Sequence, residues 1–324
     1  MQITSLSPTA REAARARPPV RSQRSNFRRA GIIVLFLLPS AVLYFVLVLL
    51  PVLQAVPYSL FTWNGLEPLT HFVGLKNYML AITDPVFVKA FTDNITIVVL
   101  SLLIQLPFAL MLALVIGKTL PGRTIFRSIF FMPYVLSDAV AGTIWHFLFL
   151  PDNSGLINTV LQHTIPGFQP QLWLADPRMV LFCIFVVMIW KYFGLHLVLY
   201  VAGIQNIPDE VVDAARIDGA SSLQVSRYIT IPLLGSTVRL SIFLSILGSL
   251  QYFDLIWVMS QGGPVHGSET MATYLYQYGF QSLSLGYGSA IGMFMFITCL
   301  IFALIYQRII MRRDIDGSLA GAQA

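Results

Sequence analysis

The sequence predicts an all-α fold, that of a polytopic integral membrane protein with six transmembrane helices, on three observations. Of its 324 residues 56% are hydrophobic and only 11% charged, against about 45–50% and about 25% in soluble domains. Six segments stay apolar over roughly the 20 residues that a helix needs to cross a hydrocarbon core about 30 Å thick. The basic residues gather at alternate ends of those segments, the distribution that orients a membrane protein.

In chain order the segments run approximately over residues 32–56, 95–116, 129–150, 179–204, 238–258 and 287–307. The third is the weakest by hydropathy, because Pro133, Asp138, Thr143 and His146 interrupt it. Arg11, Arg15, Arg17, Arg21, Arg24, Arg28 and Arg29 precede the first segment, and Arg308, Arg312 and Arg313 follow the last. Placing the N-terminus in the cytoplasm puts sixteen Lys and Arg inside and leaves Lys76, Lys89 and Arg178 outside. Both termini are therefore expected to be cytoplasmic, with the chain in a cell (inner) membrane. The remaining cation, Lys191, falls within the fourth segment. The plan is a basic cytoplasmic tail (1–30), a membrane domain (31–310) with a cytoplasmic loop at about 205–236, and a short cytoplasmic C-terminal tail (311–324). The apolar run after the N-terminal tail is too long, and too free of small-residue cleavage signals, for a removed signal peptide.

Several functions are excluded. The net charge of +5 comes from residues flanking apolar spans and not from a folded basic face, so nucleic-acid binding is not indicated. Cys183 and Cys299 lie inside apolar runs without metal-ligand spacing and read as small apolar fillers. Gly117-Lys118-Thr119 imitates the end of a phosphate loop, but Leu112 stands where the loop requires its first glycine. No paired metal ligands or nucleophile with a spaced base suggest an intramembrane enzyme. Thr62-Trp63-Asn64-Gly65 and Phe72-Val73-Gly74-Leu75 place aromatics and turn glycines in an outer loop. They read as an interfacial aromatic belt or as a surface for an external partner.

The loop between the fourth and fifth segments is the most informative stretch. Pro208 suits a first helical turn, and Asp209 and Glu210 complement the positive end of the helix dipole. Ala214 and Ala215 continue the helix and leave room for close approach by another protein. Gly219 permits the left-handed turn that ends the helix. Ser221 or Ser222 then caps a second short helix to about Tyr228, and Pro232 marks re-entry into the membrane.

The order Asp213-Ala214-Ala215, three residues, Gly219, nine residues, Ile229-Thr230-Ile231-Pro232 resembles the EAA loop of ABC-importer permeases. Asp213 stands for the usual Glu and Ile231 for the usual Leu. The resemblance runs along nearly the whole chain after the tail. Tyr58-Ser59-Leu60-Phe61-Thr62-Trp63-Asn64, Phe72-Val73-Gly74-Leu75-Lys76-Asn77-Tyr78, Phe130-Phe131-Met132-Pro133-Tyr134 and Gln261-Gly262-Gly263-Pro264 are similar to the maltose and glycerol-3-phosphate branch of carbohydrate-uptake permeases. The resemblance implies a type I importer fold whose loop (Pro208, Glu210, Asp213, Ala214, Ala215, Asp218, Gly219, Ile229 and Pro232) seats on a separate ATPase. It implies further partners: a second homologous permease, forming a heterodimer, and an extracytoplasmic binding protein that delivers the sugar. ATP-Mg would bind the paired cytoplasmic ATPase, with no cofactor on this chain and no enzymatic activity of its own.

An ionised group in the bilayer is costly and usually faces a path or a partner. Trp190, Lys191 and Tyr192, with Ser249, Gln251, Tyr252 and Asp254, are the candidate substrate-path residues, aromatic faces for sugar rings beside polar groups for hydroxyls. Packing against the partner permease, or a Lys191–Asp254 ion pair, explains the same residues. His146 and Asp138 are expected to cap or bond within the irregular third span. The function expected is the permease subunit of an ATP-driven importer of a mono- or oligosaccharide. A permease for glycerol-3-phosphate or a related phosphodiester, and an ion-coupled carrier using Asp138, Lys191 and Asp254, remain open.

Overall fold

The computed structural model describes residues 23–117 and 122–311; most of both expected tails and the Lys118–Thr119 pair lie outside the described residues. Four helices are long and apolar enough to cross a membrane unbroken: α1 (Ile32–Ser59), then, after the short α2 (Lys76–Thr83), α3 (Pro85–Ile116), α7 (Val180–Gln205) and α13 (Leu285–Ile310). Between α3 and α7 lie α4 (Arg123–Val135), α5 (Asp138–Leu148) and α6 (Leu156–Thr164). After α7 come α8 (Asp209–Ile217), α9 (Ser222–Leu233), α10 (Gly235–Leu250), α11 (Asp254–Ser260) and α12 (Met271–Tyr274). No strand forms among the described residues; one isolated antiparallel bridge joins Phe61 to Phe72.

The third and fifth predicted segments are not single rods. The third breaks between α4 and α5, which meet at 93°. Pro133 removes a backbone donor near the end of α4, and Ser137 starts α5 afresh by accepting the Val140 N–H on its hydroxyl at 3.3 Å. The fifth bends by 67° between α9 and α10, and α10 stops at Leu250. Residues 251–253 are non-helical, so the predicted 238–258 segment is cut before Asp254. Six spans result only when each bent pair is counted as one.

The described residues divide into two compact units, 23–54 and 55–311. In the first, the α1 side chains from Ile32 to Leu49 are exposed. In the second, α7 is the central post, with Ile184, Val187, Leu197, Tyr200 and Val201 almost wholly buried. α4 lies along it, and Gly194 makes that approach possible: a Cβ there would sit 2.1 Å from the Phe130 carbonyl oxygen. A separate cluster around Phe87, Leu250, Met271, Tyr274 and Ile291 ties α3, α10, α12 and α13 together.

Candidate translocation cavity and coupling loop

α8 and α9 stand at the end of α7. Pro208 is the N-cap residue of α8 (φ −56°, ψ 136°), one position before its expected place in the first turn; an N-cap residue needs no helical N–H, so proline is tolerated there too. Asp209 and Glu210 occupy the first turn. Asp218 is the C-cap, and Gly219 takes φ +85°. The Gly219 N–H donates to the Arg216 carbonyl at 3.0 Å and the Ala220 N–H to Ala215 at 2.9 Å, the paired bonds of a Schellman ending. Ser221 then caps α9 in a reciprocal box with Gln224. A π-turn over Ser226–Thr230, holding Ile229, precedes Pro232.

The loop has two faces. Val212, Ala215 and Val225 pack with Ile207 against Tyr200, Val201 and Ile204 of α7. Val211, Ala214, Ile217, Leu223 and Tyr228 point away; Ile217 is 86% exposed and Leu223 78%. Asp213 and Arg216 are exposed beside them, 3.5 Å apart. Apolar side chains this open on a surface element mark a site of contact with another protein or with the membrane.

Halfway along α3 and α7 lies a cavity of about 300 Å³. It brings together three of the predicted path residues, Tyr192, Ser249 and Tyr252, and adds Ser101, Gln105, Tyr134, His196 and Ser245. Ser101 and Gln105 bracket a π-turn in α3, a helix distortion common at functional sites; a polar pair four residues apart inside an apolar span was the signal that sequence reading passed over. His196 is buried, with Nδ1 2.6 Å from the Ser241 hydroxyl. Tyr192 and Tyr252 meet edge to face, ring centroids 5.8 Å apart. Among the described residues no Lys, Arg, Asp or Glu lines this cavity.

The other four predicted path residues lie outside its lining. Trp190 packs against Trp145, centroids 5.5 Å apart. Gln251 follows the end of α10, its amide 3.5 Å from Cys299 Sγ, and Asp254 is exposed in the first turn of α11. Lys191, 3% exposed, donates to the Leu136 carbonyl, which the α4–α5 break leaves outside any helix, and pairs with Asp138 Oδ1 at 3.3 Å. The Tyr192 hydroxyl donates to the same carboxylate oxygen at 2.8 Å. Lys191 therefore pairs with Asp138 and not Asp254. Asp138 and His146 bond across spans, His146 Nδ1 lying 3.0 Å from the Met259 carbonyl, where bonds within the third span were expected.

Residues 105–314 match the family model described as the binding-protein-dependent transport system inner membrane component. This chain belongs to that family. The permease is 33% identical, over 85% of its length and 94% of the other's, to a protein of Pyrococcus horikoshii named a probable ABC transporter permease. It is 33% identical, over 72% of its length and 74% of the other's, to the arabinooligosaccharides transport system permease protein AraP of Bacillus subtilis. Its fold is that of a chain in a bacterial ABC transporter involved in the import of the acidic polysaccharide alginate, with a TM-score of 0.79 at 21% identity, covering 89% of the permease and 98% of that chain. The permease thus has the fold of an ABC importer permease, and its 208–232 loop lies within the matched family region.

Proposed function

We propose that this permease forms, with a second homologous permease, the translocation path for a mono- or oligosaccharide delivered by an external binding protein. Hydrolysis of ATP-Mg occurs on a separate paired ATPase docked to α8 and α9, and both termini of the permease are cytoplasmic. The observation that carries this reading is the loop itself: capped at both ends, seated on α7 by one face and open with Ile217 and Leu223 on the other. An element built this way transmits force from a partner, whereas a self-powered carrier has no use for it.

The cargo follows from the midplane cavity. Tyr134, Tyr192 and Tyr252 offer ring faces, and Ser101, Gln105, Ser245 and Ser249 offer hydroxyl-matching donors and acceptors, the combination that suits a neutral sugar. A phosphodiester calls for cations in the lining, and the one nearby, Lys191, is already paired. AraP, named for arabinooligosaccharides, supports the same class. The test is purification of the permease with its genetic neighbours, followed by ATPase stimulation and uptake with sugar-loaded binding protein. A stimulated ATPase and vesicle uptake are expected; a permease that copurifies without an ATPase, or that imports glycerol-3-phosphate in preference to sugars, overturns the reading.

A further inference from the structure

The described residues enclose a second and larger space, about 730 Å³, at the end of α3 opposite the loop. α3 serves as a ruler. Asp84 caps its start, Ser101 and Gln105 reach the midplane cavity, and Leu114 lies beside the α8–α9 recess. The 17 positions from Asp84 to Ser101 correspond to about 25 Å of helix, so the two cavities are separate sites.

The walls of this outer cavity include Trp63, Asn64, Lys76, Asp84, Tyr278 and Tyr287. They are held in place from behind. The Trp63 indole N–H donates to the Glu67 carbonyl at 2.6 Å, and the Trp63 carbonyl accepts the Gly286 N–H at 2.9 Å. A Cβ at Gly286 would lie 2.1 Å from the Phe61 carbonyl oxygen, so the start of α13 fits only because that residue is glycine. On the facing wall the Tyr274 hydroxyl donates to Asp84 Oδ2 at 2.8 Å and lies 2.9 Å from the Tyr287 hydroxyl, while Asp84 Oδ1 accepts the Val86 N–H at 2.7 Å. Burial first, then Tyr287 and Asp84, raises the Tyr274 pKa, so the Tyr274 hydroxyl keeps the proton it donates. Lys76 is exposed and makes no ion pair among the described residues.

A rigid, aromatic-walled space with donors and acceptors fixed at its rim matches an oligosaccharide, whose ring faces are apolar and whose edges carry hydroxyls. Its volume falls within the range of small-molecule sites, about 300–1,000 Å³. One carboxylate and one ammonium together leave no net charge for an ionic ligand. We infer that this cavity is a second carbohydrate subsite, where the sugar leaving the binding protein is held by Trp63, Tyr278 and Lys76 before it reaches the midplane. The inference rests on the sugar-importer reading above.

The test is uptake kinetics and binding-protein affinity for the full reconstituted importer, with tritiated maltotriose, cellotriose and arabinotriose as probes. Wild type is compared with Lys76→Met and Trp63→Phe, both checked for yield and melting temperature. Lys76→Met keeps the apolar stem of an exposed residue, so it remains informative where Trp63→Phe fails to fold. Loss of one bond to a sugar hydroxyl corresponds to about a tenfold rise in KM, expected for the transported trisaccharide with kcat and binding-protein affinity unchanged. An unchanged KM in Lys76→Met overturns the subsite. A fall in binding-protein affinity that accounts for the whole change also overturns it, by showing that the cavity receives a side chain of the binding protein. Wild-type complexes that import no sugar at all remove the sugar-importer reading and the subsite together; normal wild-type import with indifferent variants removes only the subsite.

Discussion

Replacing Lys191 by methionine tests the assignment of that lysine as the clamp of the broken third span. The substitution keeps the length of the side chain and removes the ammonium, so two groups lose their partner at once. The partly buried Leu136 carbonyl loses its donor, a loss toward the lower end of the range of about 1–3 kcal/mol for an orphaned buried acceptor. Asp138 keeps only the Tyr192 hydroxyl, and breaking a buried ion pair by deleting one partner costs about 3–5 kcal/mol. The Asp138 side chain is 24% exposed, so water offsets part of this, and the total falls below the sum of the two lower ends, about 4 kcal/mol, to about 3 kcal/mol. At no more than about 2–4 °C per kcal/mol, the value for domains of about 150–250 residues, the purified complex should melt lower by up to about 6–12 °C. Asp138→Leu alone should be comparably damaging, because it strands the ammonium. The double variant should recover the ion-pair part of the loss, since an apolar pair in place of a buried ion pair is often neutral, while the Leu136 carbonyl still lacks its donor. The assay is thermal unfolding of wild type, both single variants and the double in lipid nanodiscs. Additivity of the two losses to within about 0.5 kcal/mol refutes the clamp. A raised KM for sugar at unchanged stability in Lys191→Met would instead return that residue to the substrate path.

Other expectations follow from the loop and the helix contacts. Gly219→Val should sharply reduce uptake while leaving membrane insertion intact: no atom lies within 4 Å of the would-be Cβ, so the penalty comes from φ +85° alone, about 1–2 kcal/mol or more for a β-branched residue. Western blots of membrane fractions beside uptake rates check this. Ile217→Asp with Leu223→Asp should abolish copurification of the ATPase with little change in melting temperature, because both side chains are exposed; retained ATPase places the docking face elsewhere. Gly194→Ala should destabilise by at least the 1–3 kcal/mol typical of overpacking, since its Cβ would meet backbone of α4 at 2.1 Å, and should appear as a loss of folded protein on size-exclusion chromatography.

The four unbroken spans were legible because length and hydropathy suffice for a helix surrounded by lipid or apolar neighbours. The loop was legible for a different reason. Its caps are local chemistry, and Gly219 and Ser221 each act within five residues of their own position. The two broken segments were not, since a hydropathy average records composition and is blind to direction; the Ser137–Asp138 start signal lay inside a run that averages as one span. The site residues divide in the same way. Tyr192, Ser249 and Tyr252 could be collected by type, but Lys191 and Asp138 are 53 positions apart, and only the 93° bend brings the carboxylate to the lysine. Gln251 and Asp254 were collected as residues of one predicted segment, 238–258, and the break at 251–253 cuts that segment.

The loop and the midplane cavity are attached to the same rod. α7 is 26 residues long without a break, about 39 Å at 1.5 Å per residue. Its end carries Ile204 in the packing under α8, with Ile207 just beyond its last turn, and its middle carries Lys191, Tyr192 and His196. A displacement of α8 therefore acts on the cavity wall through Tyr192, and through Lys191 on the carbonyl at the α4–α5 break. Softening the rod between these points should separate hydrolysis from transport. Val198→Gly with Leu199→Gly replaces two half-buried residues, each weakening the helix by roughly 1 kcal/mol while leaving Leu197, Tyr200 and Val201 in their packing. Binding-protein-stimulated ATPase should persist, and the ATP consumed per sugar imported should rise several-fold. An unchanged ratio would show that the loop reaches the cavity by another route, through α3, whose Ser101 and Leu114 touch the two sites, or through α10.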